Sequence, residues 1–235
     1  MGSIGSRLQE VKRRIALACQ TAARSENSVT LLAVSKTFDA DAVREAHAAG
    51  QRAFGENYVQ EALAKIEALA DLRAGPGGGI EWHLIGPLQS NKTRPVAEAF
   101  DWVHSVDRLK IAERLAEQRP PGLPPLQLCL QVNISGEASK SGVAVEEAAA
   151  LAAAVAALPH EKLRLRGLMA IPEPAADPQA QRAPHRRLRE LLQAINAQQG
   201  LALDTLSMGM SADLEAAVLE GATIVRVGTA IFGAR

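Results

Sequence analysis

Short, nearly continuous apolar runs alternate with helix-spaced segments along almost the whole chain, and this alternation limits the fold more than any other feature. VTLLAVS (29–35) is such a run, the pattern of a strand buried on both faces. Asp39 then caps a helix through 49, and Gly50 ends it. The unit recurs. A short strand at 52–55 precedes a helix over 56–70, and IEWHLIG (80–86) precedes a helix over 90–100. DWVHSV (101–106) precedes a helix over 107–118, and LQLCLQVNIS (126–135) one over 144–158. The sixth strand, 163–171, leads to a long helix ending near 199–200. The seventh, 204–208, leads to a helix over 211–220, and TIVRVG (223–228) is the eighth. Ahead of all of them, Leu8, Val11, Ile15 and Cys19 form one stripe of a helix. Parallel neighbours need crossover helices, so the pattern predicts a parallel sheet. Eight units predict closure as a (β/α)8 barrel, a TIM barrel with an extra N-terminal helix. No GxGxxG follows any strand, which disfavours a dinucleotide fold. With no low-complexity linker, residues 1–235 read as a single domain.

Lys and Arg total 26 and Asp and Glu total 26, so the formal charge is zero. Neither a nucleic acid nor an anionic membrane surface selects such a balance. The run Arg186, Arg187, Arg189 is interleaved with leucines and predicts the solvated face of an amphipathic helix. The two cysteines, Cys19 and Cys129, form no CxxC or Cys/His pattern, so neither a zinc site nor a disulfide framework is expected. With no long apolar span and no leader-like apolar core, a cytoplasmic protein is expected.

A barrel of this kind places its chemistry at the carboxyl ends of its strands. Lys36 follows an apolar strand and shares parity with Leu32 and Val34. If that face lines the interior, the amine stands over the top of the core, partly desolvated and nucleophilic toward an aldehyde. Arg226 interrupts the buried run TIVRV, and a charge there requires a partner, either an ion pair or a ligand acceptor. SMGMS (207–211) and GTAIFG (228–233) follow strands seven and eight, where barrels frequently bind phosphate. The N–H groups at Gly228 and Thr229, with the hydroxyls of Ser211 and Thr229, are the candidate donors. An amine, an arginine and a phosphate cup together suit pyridoxal 5′-phosphate.

At the level of motifs, AVSKTF (33–38), FGENYVQE (54–61), WHLIGPLQSNK (82–92), HSVD (104–107), NISGEASKSGV (133–143), GLMAIP (167–172), LSMGMSADLEAA (206–217) and VRVGTAIFGAR (225–235) resemble the pyridoxal phosphate homeostasis protein family. The resemblance runs in order over nearly the whole chain. It implies a barrel like the N-terminal domain of alanine racemase, with the cofactor held as a Schiff base on Lys36. By that resemblance Arg226 faces the pyridine nitrogen, and Ser211, Gly228 and Thr229 hold the phosphate. Asn57 sits beside the ring, and His83 and Met208 belong to the pocket wall. The family is regarded as a cofactor-binding regulator of vitamin B6 and amino-acid pools without an established turnover. A monomer is expected, with pyridoxal phosphate and apo-enzymes of the cofactor as its partners.

Arginine donates a hydrogen bond to the ring nitrogen but supplies no proton, so the ring stays a poor electron sink. The only tyrosine, Tyr58, sits at a helix start, with no second domain to close the mouth. Three alternatives stand against the carrier. One is a racemase using Lys36 with His83, His104 or Lys140 as second base. Another is a Schiff-base aldolase acting on a sugar phosphate. The third is an interaction scaffold that binds no cofactor.

Overall fold

The computed structural model describes residues 2–73, 78–136 and 141–233. Eight parallel strands close into a barrel in sequence order, β1 pairing with both β2 and β8. They are β1 (Thr30–Val34), β2 (Ala53–Glu56), β3 (Glu81–Leu84), β4 (Trp102–Val106), β5 (Leu126–Gln131), β6 (Leu163–Met169), β7 (Thr205–Ser207) and β8 (Ile224–Val227). Helix α1 (Ile4–Thr21) precedes the barrel. The crossovers carry α2 (Ala40–Ala48), α3 (Val59–Ala68), α4 (Thr93–Ala99), α5 (Leu109–Gln118), α6 (Ala148–Ala156), α7 (Pro178–Gln199) and α8 (Leu214–Leu219). A final turn, α9 (Thr229–Phe232), follows β8. The (β/α)8 barrel expected from the alternation is what the chain forms, and the extra N-terminal helix is α1.

Local signals set the boundaries. Asp39 accepts from the Ala42 N–H at the start of α2, and Asp177 accepts from Ala180 before Pro178 opens α7. The predicted helix over 144–158 is shorter, because residues 145–147 form a 3₁₀ turn before α6. Helix α8 likewise begins at Leu214 rather than 211, since residues 211–213 are a turn.

Strand alternation divides the apolar residues into two cores. Leu31, Ala33, Phe54, Trp82, Leu84 and Val225 point outward and pack with the helices. Leu32, Ala53, Trp102, Cys129, Met169 and Ile224 form a separate, smaller cluster inside the barrel. The interior is unusually polar for so closed a space: His83, His104, Ser207 and Arg226 are all buried. Leu32 pairs with Arg226 across the β1–β8 seam, which sets Arg226 one layer below the barrel mouth.

The basic run of α7 is not merely a solvated face. Arg182, Arg186 and Arg189 converge on the buried carboxylate of Glu220, just past α8, at 2.6, 3.0 and 2.8 Å. Arg187 instead donates to the Ile134 carbonyl. Spaced four and three residues apart, the three arginines share a helix face, and that face turns toward α8.

Candidate functional site

Lys36 lies two residues beyond β1, and the residues on either side of it are pinned. Ser35 is buried; its hydroxyl donates to Glu56 Oε1 at 2.6 Å, and its carbonyl accepts from Lys65 Nζ at 2.7 Å. The Lys65 ammonium, also buried, donates to Glu56 at 2.8 Å and to Glu61 at 2.6 Å. Thr37, on the other side, has φ +70°, a left-handed conformation unusual for a β-branched residue. Its N–H donates to the Glu61 carboxylate, which holds it there. Between these anchors the Lys36 side chain is exposed, not partly desolvated over the core as the strand parity had predicted.

Lys36 opens onto a cleft of about 330 Å³ lined by Val34, Phe38, Tyr58, Gly228 and Thr229 among others. The end of β1 and the start of α9 therefore meet there, as the sequence had suggested. Gly228 precedes α9, and a Cβ at this position would stand 3.1 Å from the Val34 carbonyl oxygen. Glycine lets the two strand ends approach. Intrahelical bonding in α9 begins at the Ile231 N–H, so the N–H groups of Thr229 and Ala230 precede it in the first turn. The far end of α9 is tied down by Arg7, which donates to the carbonyls of Ile231 and Phe232.

Asn57 follows β2 and is half-buried; its Oδ1 is buried with no hydrogen-bond partner. The chain after β3 passes so close that a Cβ on Gly86 would lie 2.1 Å from the Asn57 carbonyl oxygen. A side chain there would push the two loops apart.

Arg226 is a buried cation with no carboxylate in hydrogen-bond contact. Nη1 donates to the Ser207 carbonyl at 2.6 Å and to Ser207 Oγ at 2.8 Å, and Nη2 donates to the Ala170 carbonyl at 2.8 Å. Of the five N–H donors of a guanidinium, two have no acceptor among the described residues. Burial pulls its pKa down to about 10, against the field of Asp213, so it is still charged at neutral pH. A buried cation with unspent donors and no carboxylate in contact is costly unless an electron-rich ligand meets it.

Other expected residues are not among those lining this cleft. Ser211 is half-buried in the turn before α8, and its carbonyl accepts from Arg14. His83 and Met208 do not form the cleft wall. Met208 has the outward parity and packs with the helices, whereas His83 lies inside the barrel, bonded to Glu81 and His104. Lys140 lies outside the described residues. The sequence reading missed Lys65, whose signal is a lysine on the helix stripe Val59, Ala62, Leu69 with an acid four residues before it. Among the described residues no group of His, Cys, Asp or Glu is placed to hold a metal, and no helix is long and apolar enough to cross a membrane.

Comparison with known proteins gives the chain its relatives. The family model for the alanine racemase N-terminal domain matches residues 7–235. The pyridoxal phosphate homeostasis protein of Pseudomonas aeruginosa is 65% identical over 235 residues, covering 100% of this chain and 97% of the relative. That of Escherichia coli K12 is 52% identical, covering 100% and 98%. Among solved structures, PipY of Synechococcus elongatus with pyridoxal phosphate bound superposes with TM-score 0.83 at 39% identity, covering 98% of this chain and 100% of PipY. Alanine racemase of Corynebacterium glutamicum shares the fold, with TM-score 0.62 at 21% identity over 95% of this chain and 60% of the racemase. Full-length identity of this order, on a barrel that brings Lys36 to the start of α9, makes the chain a member of the pyridoxal phosphate homeostasis protein family.

Proposed function

We propose that this protein binds pyridoxal 5′-phosphate as a reversible Schiff base on Lys36 and serves vitamin B6 homeostasis in the cytoplasm, without a dedicated turnover reaction. The observation that carries this reading is Arg226, a buried cation with two unspent donors, one layer below the cleft that Lys36 enters. The group fits the residues present. Lys36 offers an exposed amine to an aldehyde, Arg226 a donor to a ring nitrogen, and the first turn of α9 unbonded N–H groups to a phosphate. The buried, unpaired Oδ1 of Asn57 is a further point of contact. PipY, with the cofactor bound, is related to this chain over its full length. When bound, the cofactor supplies an electrophilic aldehyde and an electron sink whose strength depends on protonation of its ring.

The residues restrain that sink. Arg226 holds the ring nitrogen by donation and remains charged, so it gives up no proton there. His83 and His104, the candidate second bases, are buried in the barrel interior and bonded to each other, to Glu81 and to Ser207. The exposed mouth at Lys36 and Tyr58 lets water and a receiving amine reach the linkage, as suits a monomeric, single-domain carrier that yields its cofactor to apo-enzymes.

The test is the visible spectrum of the purified protein with added pyridoxal phosphate. A yellow band that is absent in Lys36→Ala, and a borohydride-fixed adduct mapped to Lys36, are the expected results. A protein that stays colourless in excess cofactor overturns the reading. Rapid racemisation of an amino acid, lost in Lys36→Ala, would make it an enzyme instead.

A further inference from the structure

The polar residues inside the barrel form one continuous chain. From Arg226 Nη1 it passes to Ser207 Oγ at 2.8 Å, then from Ser207 Oγ to His104 Nδ1 at 2.7 Å. It continues from His104 Nε2 to His83 Nδ1 at 2.9 Å, and from His83 Nε2 to Glu81 Oε1 at 2.7 Å. Glu81 opens β3 at the opposite end of the barrel from the cleft. The chain thus runs the length of the interior.

Its proton order follows from its first member. A guanidinium only donates, so Ser207 Oγ accepts from Arg226. The single hydroxyl proton of Ser207 then goes to its one other partner, His104 Nδ1. His104 is fully buried and held neutral by desolvation, with the nearby His83 and Arg226 acting in the same direction. A neutral imidazole that accepts at Nδ1 carries its proton at Nε2, so His104 donates to His83. By the same step His83 carries its proton at Nε2 and donates to Glu81, whose carboxylate only accepts when ionised. All four bonds point the same way. In the reverse order the Ser207 proton would have no acceptor, and His83 would have to be cationic to serve both neighbours. His83 is also fixed in plane, stacked on Trp102 at 5.3 Å with 6° between the rings.

We propose that Ser207 and His104 are positioning residues: through this one-way chain they fix the Arg226 guanidinium, leaving its remaining donors for the ligand. This rests on the cofactor reading above, since it is the ring nitrogen that Arg226 would meet. Ser207 supplies two of the three bonds that hold Arg226, and His104 decides which way the Ser207 hydroxyl points. Neither is among the residues lining the cleft that Lys36 enters.

Two measurements separate the chain from the cofactor reading. The first is ¹⁵N NMR of the histidine rings in the ligand-free protein, which needs no cofactor. Both His83 and His104 are expected as Nε2–H tautomers with bare Nδ1. A protonated Nδ1 on His104 overturns the chain. The second compares pyridoxal phosphate affinity and band position in Ser207→Ala, His104→Phe and His104→Asn. The first two lose the hydroxyl or its acceptor and should bind about tenfold more weakly, with a displaced absorption band. Asparagine keeps an acceptor for the Ser207 hydroxyl and should restore both affinity and band, as a merely space-filling role would not require. Wild-type affinity and band in Ser207→Ala and His104→Phe overturn the positioning role while leaving the cofactor reading intact. A wild-type protein that binds no cofactor overturns that reading, and the positioning role with it; the tautomers still decide the chain.

Discussion

Lys65 shows how much a single buried charge can organise. Its ammonium reaches the Ser35 carbonyl and the carboxylates of Glu56 and Glu61, and those groups hold the backbone on either side of Lys36. Glu56 is fully buried, and burial lifts its pKa above the ordinary value near 4.5 despite the bonds from Lys65 and Ser35. A carboxyl whose folded pKa is raised contributes stability below its unfolded pKa, and that contribution is lost as pH rises through the folded value. Lys65→Met removes the cation and pushes Glu56 further up. At pH 8 it should cost about 3 kcal/mol, because a bare carboxylate must be buried or protonated. The cost should be smaller at pH 5, since lowering the pH favours the protonated, neutral form of Glu56. Urea denaturation of Lys65→Met at the two pH values measures this, and adding Glu56→Gln should flatten the difference. A pH-independent loss would mean that Lys65 acts only by filling space. In sequence, Lys36 and Arg226 stood out because the first follows directly on a buried apolar run and the second interrupts one. Lys65 was not, because a lysine on a helix normally reaches water.

Elements recognise one another by means that periodicity shows only in part. The apolar runs revealed all eight strands, and the cap residues Asp39 and Gly50 marked α2. They did not reveal that α7 turns its arginines inward onto Glu220, because the sequence distance between Arg182 and Glu220 hides the pairing. Desolvation alone would raise the pKa of Glu220, but bonds from Arg186 and Arg182 hold it below its ordinary value. With a depressed folded pKa, its contribution is present above the unfolded value and is lost as pH falls through the folded one. Glu220→Gln should therefore cost on the order of 2 kcal/mol at pH 7, the arginines being partly in water already. The gap from the wild type should close below pH about 4. Thermal melts of the two proteins across that range read it directly. The same blindness explains His83 and Met208: neighbourhood in a motif placed both in the pocket wall, whereas strand parity sends Met208 outward and β3 carries His83 into the barrel interior.

At the scale of the whole molecule, α1 closes the barrel where its first and last strands meet. Arginines in it and just after it act as caps for the carboxyl ends of other elements: Arg7 of α1 on the carbonyls of α9, and Arg24, three residues past α1, on those of Val218 and Ala222 around the end of α8. The sequence showed α1 as an amphipathic helix but not what it caps, since those contacts join the two ends of the chain. The two arginines should separate stability from ligand binding. Each loses hydrogen bonds to backbone carbonyls on truncation, worth about 1–2 kcal/mol, so Arg7→Ala and Arg24→Ala should lower the melting temperature by roughly 2–8 °C. Of the two, only Arg7 grips α9, the turn whose first residue, Thr229, lines the cleft. Arg7→Ala should therefore also weaken pyridoxal phosphate binding several-fold, whereas Arg24→Ala should leave affinity unchanged. Ligand-induced stabilisation, measured as the rise in melting temperature with added cofactor, distinguishes the two. An equal rise in both variants would show that α1 only braces the barrel; a smaller rise in Arg7→Ala would mean that it also holds α9 in position to receive the phosphate.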